Sequence, residues 1–250
     1  MILLYILGAV LALFLIYVLF LGLCSLLVDP RREYEHHSRF YRFLLDSATA
    51  PAMKLLRIRV HVSGLEKLPQ DTHVLFVSNH RSNFDPIVTW YALRQWKIAF
   101  VSKPENFKIP FFGRIIRKCC FLPIDREDPR KAIVAINHAA ALLEKGEVSV
   151  GIYPEGTRSK SGELLPFHNG VFKIAQKAGA PIAVLTVTGT EQIAKRTPFH
   201  RTDVYLDVAE VFSAENVRET KTQMIGTAVR RVIEIHTEKR ENDGNRICTL

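Results

Sequence analysis

Residues 79–86 read NHRSNFDP and follow the apolar run HVLFVS. His80 and Asp85 therefore stand five positions apart, at the point where a buried strand would end. Loops at the carboxyl ends of strands in α/β sheets are favoured ligand sites, so a histidine and an aspartate presented there read as a base and its orienting acid. An imidazole takes a proton from a weak alcohol nucleophile, and a carboxylate on the other ring nitrogen fixes the tautomer and steadies the imidazolium. An architectural reading competes with this. Asp85-Pro86 also suits an N-cap followed by the first helical residue, the arrangement expected where Asp128-Pro129 opens a later helix. Asp128 has no histidine five residues before it.

Two further segments end on groups suited to an anion. In IYPEGTRSKSG, Ile152 to Gly162, the residues Glu155, Gly156, Thr157 and Arg158 share a tight loop. Gly156 permits close backbone approach, Thr157 brings a hydroxyl, and Arg158 brings a planar fork that matches phosphate. A charged surface turn is the plain alternative. The segment GRIIRKCCFLPIDRED carries Arg126 to another strand exit, while GAPIAVLTV by itself says only buried core.

These groups need a frame. From Arg57 onward short apolar runs alternate with helical stretches, the pattern of an α/β domain with a mixed, mostly parallel sheet and helices on both faces. Strands are expected at 58–62, 74–78, 98–102, 120–124, 148–153 and 182–187, with a weaker one at 204–208. Helices are expected at 129–145, stopped by Gly146, at 171–178, closed by Gly179, and over much of 217–239; residues 239–246 read as a mobile polar tail.

Before this domain, Ile2 to Val28 has no charged side chain. At 1.5 Å per residue such a helix exceeds the roughly 30 Å hydrocarbon core of a bilayer. A cleaved signal peptide fits less well, because no basic region precedes the run and its apolar stretch is too long. Arg31, Arg32, Arg39 and Arg42 follow, which by the positive-inside rule places the rest of the chain on the cytoplasmic face. Residues 33–56 suit an interfacial helix with Tyr41, Phe43, Leu44 and Leu45 toward lipid, Arg39 and Arg42 toward headgroups, and a bend or end at Pro51; a core-packed helix fits the pattern equally well. The division expected is membrane-anchoring helices over 1–56 and an α/β domain over 57–250. A net charge of +9 favours an anionic partner, but the cations are dispersed and no nucleic-acid module is present. Cys24, Cys119, Cys120 and Cys248 lack zinc-site spacing and read as incidental thiols of a reduced compartment.

Taken together, NHRSNFDP, PFFG with FLPIDR, YPEGTRS and APIAVLTV resemble, in order and spacing, the motifs of the glycerophospholipid acyltransferase family, which includes the 1-acylglycerol-3-phosphate acyltransferases. The resemblance covers about Val74 to Val187. It implies transfer of an acyl group from acyl-CoA or acyl carrier protein to the sn-2 hydroxyl of lysophosphatidic acid, at a membrane, with neither metal nor cofactor. His80 would be the general base and Asp85 its partner; Arg126, Glu155, Gly156, Thr157 and Arg158 would bind the phosphoglycerol acceptor. Backbone N–H groups near Ser102 and Lys103 would face the oxyanion. The chain departs from the pattern at His168, which stands where relatives commonly carry Lys. Transfer to glycerol 3-phosphate or another lysophospholipid is the nearest alternative, and a non-catalytic protein that binds anionic lipid is the alternative from another class.

Overall fold

The computed structural model describes residues 1–247. Its centre is a seven-stranded sheet in the order β1-β7-β6-β2-β5-β3-β4. The strands are β1 (Ile58–Ser63), β2 (Leu75–Ser78), β3 (Ala99–Ser102), β4 (Leu122–Pro123), β5 (Val150–Ile152), β6 (Ile182–Thr188) and β7 (Thr202–Phe212). Neighbours pair in parallel except β6 and β7. The mostly parallel sheet carries helices on both faces, as the alternating pattern predicts. Strands β2, β3, β4, β5 and β6 all point the same way, so their carboxyl ends share one edge, and this edge gathers the motif residues.

The central strands are apolar throughout because both faces are covered; every residue of β2, β5 and β6 is buried. Departures from the expected elements have local causes. β4 keeps only two residues, since Cys120 has φ 64° and Pro123 has no N–H to give a ladder. The weakest strand of the sequence reading, 204–208, is part of the longest, β7, which pairs with both β1 and β6. It reads weakly because Asp203, Tyr205 and Asp207 interrupt the apolar run on one face only.

Nine helices surround the sheet among the described residues: α1 (Ile2–Leu26), α2 (Arg39–Leu55), α3 (Asp85–Ala92), α4 (Phe112–Lys118), α5 (Pro129–Glu144), α6 (Lys173–Ala178), α7 (Ile193–Arg196), α8 (Ala214–Glu219) and α9 (Thr222–Ile247). Asp128 caps α5 by accepting from the N–H groups of Arg130 and Lys131, and Gly146 and Gly179 take the left-handed conformation after α5 and α6. The expected polar tail lies in the continuation of α9 to Ile247.

Helix α1 has a mean hydropathy of 2.9 over its most apolar window and buries none of that window in the rest of the chain. It is held along its second half: Gly22, Cys24 and Ser25 are buried, the Tyr41 hydroxyl donates to the Cys24 carbonyl, and Tyr17 and Ser47 share a hydrogen bond. Helix α2 runs through Pro51 and corrects the lipid-facing assignment made from sequence. Tyr41 and Leu44 are buried, and Arg42 points into the domain, where it donates to the carbonyls of Lys97, Ile98 and Cys119 and lies over the Trp90 ring. Arg42 pays its desolvation in carbonyl contacts; Phe40 and Phe43 remain exposed. The buried thiols of Cys119 and Cys120 are free, with burial pushing each up to about 12; Cys248 lies outside the described residues.

Candidate active site

β2 delivers Ser78 and Asn79 to the carboxyl edge of the sheet. Asn79 is buried and makes a reciprocal pair with the backbone of Val187, donating to its carbonyl and accepting from its N–H, both at 2.9 Å. This ties the exit of β2 to β6. His80 follows, and its Nδ1 lies 2.8 Å from Asp85 Oδ2. A carboxylate can only accept, so Nδ1 carries the proton and Nε2 keeps its lone pair. The imidazole is 16% exposed and Asp85 is 0% exposed.

Asp85 is not a helix cap. It lies in the first turn of α3, whose N-cap is Phe84, and its Oδ2 accepts from the N–H groups of Arg81 and Ser82 in the preceding loop. Its Oδ1 accepts from the buried Thr190 hydroxyl. With His80 these donors offset the cost of burying the charge. Thr190 is a site residue that no motif reading singled out. It follows Gly189, whose φ of 89° and closeness to the Asp203 carbonyl turn the chain back toward Asp85 after β6.

β5 delivers the next group. The Tyr153 ring stacks on His80 with centroids 4.3 Å apart, and the Phe100 ring lies parallel to Tyr153 with centroids 6.1 Å apart. Burial, and then the Asp85 charge, push the Tyr153 hydroxyl well above its ordinary range, so it stays neutral. Tyr153 also lines a recess of about 430 Å³ with Arg126, Gly156 and His168. Gly156 has φ 71°, and a side chain there would meet His168 at 2.9 Å and Arg126 at 3.4 Å. The glycine thus lets those two side chains close over the same loop.

The structure divides the remaining sequence-derived candidates. Arg126 lines the recess, is itself solvent-exposed, and makes no hydrogen bond or ion pair among the described residues; the protein packed around its stem lowers its pKa, against the opposing pull of Glu105. Thr157, Arg158 and Lys103 are exposed, and none of them lines the recess. Glu155 is placed otherwise than expected for an acceptor-binding group. It is buried, its two oxygens accept from the N–H groups of His80 (2.7 Å) and Leu165 (2.9 Å), and so it holds His80 from behind. Ser159 N–H donates to the His80 carbonyl, completing the clamp.

Glu155→Ala leaves both N–H groups without their acceptor, so it is expected to cost about 2–5 kcal/mol, measured by thermal or denaturant unfolding. Burial raises the Glu155 pKa, which its backbone partners only partly oppose. A carboxyl raised on folding stabilises most fully when protonated. Relative to Glu155→Gln, wild-type stability should therefore decline as pH rises from the ordinary carboxyl range through the raised value.

An imidazole with a buried carboxylate partner thus stands beside a recess that Arg126 lines, at the carboxyl edge of the mostly parallel sheet of an α/β protein. The chain belongs to the Acyltransferase family, whose model matches residues 59–188. It is 41% identical over 136 residues to the chloroplastic 1-acyl-sn-glycerol-3-phosphate acyltransferase BAT2 of Brassica napus, covering 54% of this chain and 39% of that one. Over 169 residues it is 37% identical to the chloroplastic LPAT1 of Arabidopsis thaliana, of the same described activity, covering 67% and 45%. The chain thus spans less than half the length of these two relatives. Among solved structures, the 1-acyl-sn-glycerophosphate acyltransferase PlsC of Thermotoga maritima superposes with a TM-score of 0.68 at 25% identity, covering 90% of this chain and 89% of that one.

Proposed function

We propose that this chain moves a fatty acyl group from a thioester, acyl-CoA or acyl carrier protein, to the sn-2 hydroxyl of lysophosphatidic acid, giving phosphatidic acid. His80 Nε2 takes the hydroxyl proton as the oxygen attacks the thioester carbonyl. The tetrahedral intermediate then expels the thiolate, which recovers that proton from the imidazolium. A thioester is already reactive, so no covalent enzyme intermediate is needed; proximity, deprotonation and oxyanion donors suffice, the last assigned to backbone N–H groups near Ser102 and Lys103. Arg126, with Gly156 and the exposed Thr157 and Arg158, receives the acceptor phosphate; Glu155 serves by positioning His80.

The observation that carries this reading is the 2.8 Å His80–Asp85 contact, joined through Tyr153 to the recess that Arg126 lines. The activity printed for the relatives supports the choice of acceptor. An apolar cleft of about 230 Å³ starts at Pro86 and Ile87, beside Asp85, and is walled by Leu45, Ala48 and Ala52 of α2. It gives an acyl chain a dry path from the site toward the N-terminal helices. The exposed apolar α1, followed by Arg31 and Arg32, supports a membrane anchor within residues 1–56, where α2 joins it to an acyltransferase domain over 57–250 on the cytoplasmic face.

The test is incubation of purified protein with lysophosphatidic acid and each thioester donor, with the product identified by mass spectrometry. Phosphatidic acid is expected. Equal or better acylation of glycerol 3-phosphate or of a headgroup-bearing lysophospholipid would overturn the acceptor assignment. Arg126→Ala is expected to reduce kcat/KM roughly 10- to 150-fold, mainly through KM for the acceptor, as one charge-assisted hydrogen bond of about 1.5–3 kcal/mol is lost.

A further inference from the structure

Away from the His80 site, a recess of about 630 Å³ opens between the end of the N-terminal helix and the 104–117 segment. It is lined by Pro30 from the α1–α2 connection and by Lys108, Ile109, Phe111, Arg114 and Arg117, among others. Lys108 and Arg114 make no hydrogen bond or ion pair among the described residues. Arg117 lies over the Phe107 ring at 4.7 Å, and its buried Nε has no hydrogen-bond partner. With Arg117 held against Phe107, Lys108 and Arg114 are the cations of the recess that face no partner among the described residues.

The wall on the other side is apolar and continues into α1. Ile109 and Phe111 are 46% and 43% exposed, and the Phe111 ring lies against Gly22, where a side chain would meet it at 3.1 Å. Phe111 holds this place with φ 59°, a conformation that bulky residues rarely adopt. Next to Gly22, the side chains of Leu23 and Leu26 are exposed on the helix that is long and apolar enough to cross a bilayer, and Leu27 is exposed at its C-cap. Gly113 makes the segment compact, since a side chain there would fall 2.3 Å from the Phe107 carbonyl oxygen. Cations without partners next to an exposed apolar surface ask for a ligand that is anionic at one end and hydrocarbon at the other.

We propose that this recess binds one anionic phospholipid of the membrane, its phosphate held by Lys108 and Arg114 and its chains lying along Phe111 and the end of α1. The charges match, the apolar wall runs on into the lipid-facing helix, and the occupant is separate from the acceptor at Arg126. A bound lipid would fix the height and tilt of the domain at the bilayer surface, with the 108–114 segment as a second attachment beside α1.

The full-length protein, extracted in detergent and exposed to phosphatidylglycerol or phosphatidylcholine of the same chains, is examined by native mass spectrometry for retained lipid. One phosphatidylglycerol is expected to survive detergent exchange, with phosphatidylcholine retained at least about tenfold less. Lys108→Gln with Arg114→Gln should lower phosphatidylglycerol retention by about tenfold or more, and Ile109→Ser should lower it as well. Arg31→Gln with Arg32→Gln, which neutralises cations that do not line the recess, should leave it. Arg126→Ala should also leave it, and loss of the lipid in that variant would place it in the acceptor site and overturn the proposal. Equal retention of the two lipids, unchanged retention in the Lys108/Arg114 variant, or displacement by soluble glycerol 3-phosphate would do the same. Because the readout is lipid mass and not acyl transfer, this outcome is independent of the proposed activity.

Discussion

Replacing His80 with Ala is expected to lower acyl transfer about 10²- to 10⁴-fold, the range over which a positioned general base contributes. The fold around it should persist. The backbone of residue 80 is held by Glu155 on its N–H and by Ser159 on its carbonyl, contacts that do not involve the imidazole. What disappears is the imidazole paired with Asp85, the proposed base, together with the face that stacks on Tyr153. The measurement is initial rate of phosphatidic acid formation in vesicles, with flotation of the same vesicles reporting attachment. A protein that merely holds anionic lipid would show no difference between wild type and variant. Wild-type turnover in His80→Ala would end the assignment of the base.

Asp85→Asn should reduce turnover by about 10² to 10³, less than loss of the imidazole itself. The reasoning depends on which donors surround the carboxylate. Oδ2 accepts from His80 Nδ1 and from the N–H groups of Arg81 and Ser82, so an amide must turn its oxygen to that side; its NH₂ then faces the Thr190 hydroxyl, which can accept. The His80 tautomer survives, and only the negative charge that steadies the imidazolium is lost. In the Ser-His-Asp proteases the same change disturbs the tautomer as well and costs about 10⁴ in kcat. Asp85→Ala differs again, since it leaves buried donors unpaired and should lower the unfolding temperature along with activity. A crystal structure or ¹⁵N shift of His80 in Asp85→Asn checks the tautomer, and a rate equal to wild type would reduce Asp85 to an architectural part.

Electrostatics near the membrane follow from a similar accounting. Arg42 reads from sequence as a headgroup ligand, yet its guanidinium is used on three interior carbonyls beside Trp90. Lys108 and Arg114, which carry no motif signal of charge recognition, are the cations left facing the recess beside α1. Amphipathic spacing shows that one face of α2 is apolar. It does not tell whether lipid or the sheet covers that face, because both are apolar partners.

The order of motifs, the apolar strands that end in them and the uncharged N-terminal run were all readable along the chain, since each depends on local periodicity and on residue types a few positions apart. His80 and Asp85 belong to that class: five residues and one strand exit bring them together. Local sequence could not separate Asp85-Pro86 from Asp128-Pro129, nor tell that Glu155 faces inward while Arg126 faces the recess. Those outcomes depend on groups far off in the chain, Thr190 for Asp85 and the N–H groups of His80 and Leu165 for Glu155. Buried polar atoms take whichever partner the packed sheet places within hydrogen-bond reach. That choice is made only when parallel strands set their ends side by side, because desolvation without a partner costs more than any local preference can repay.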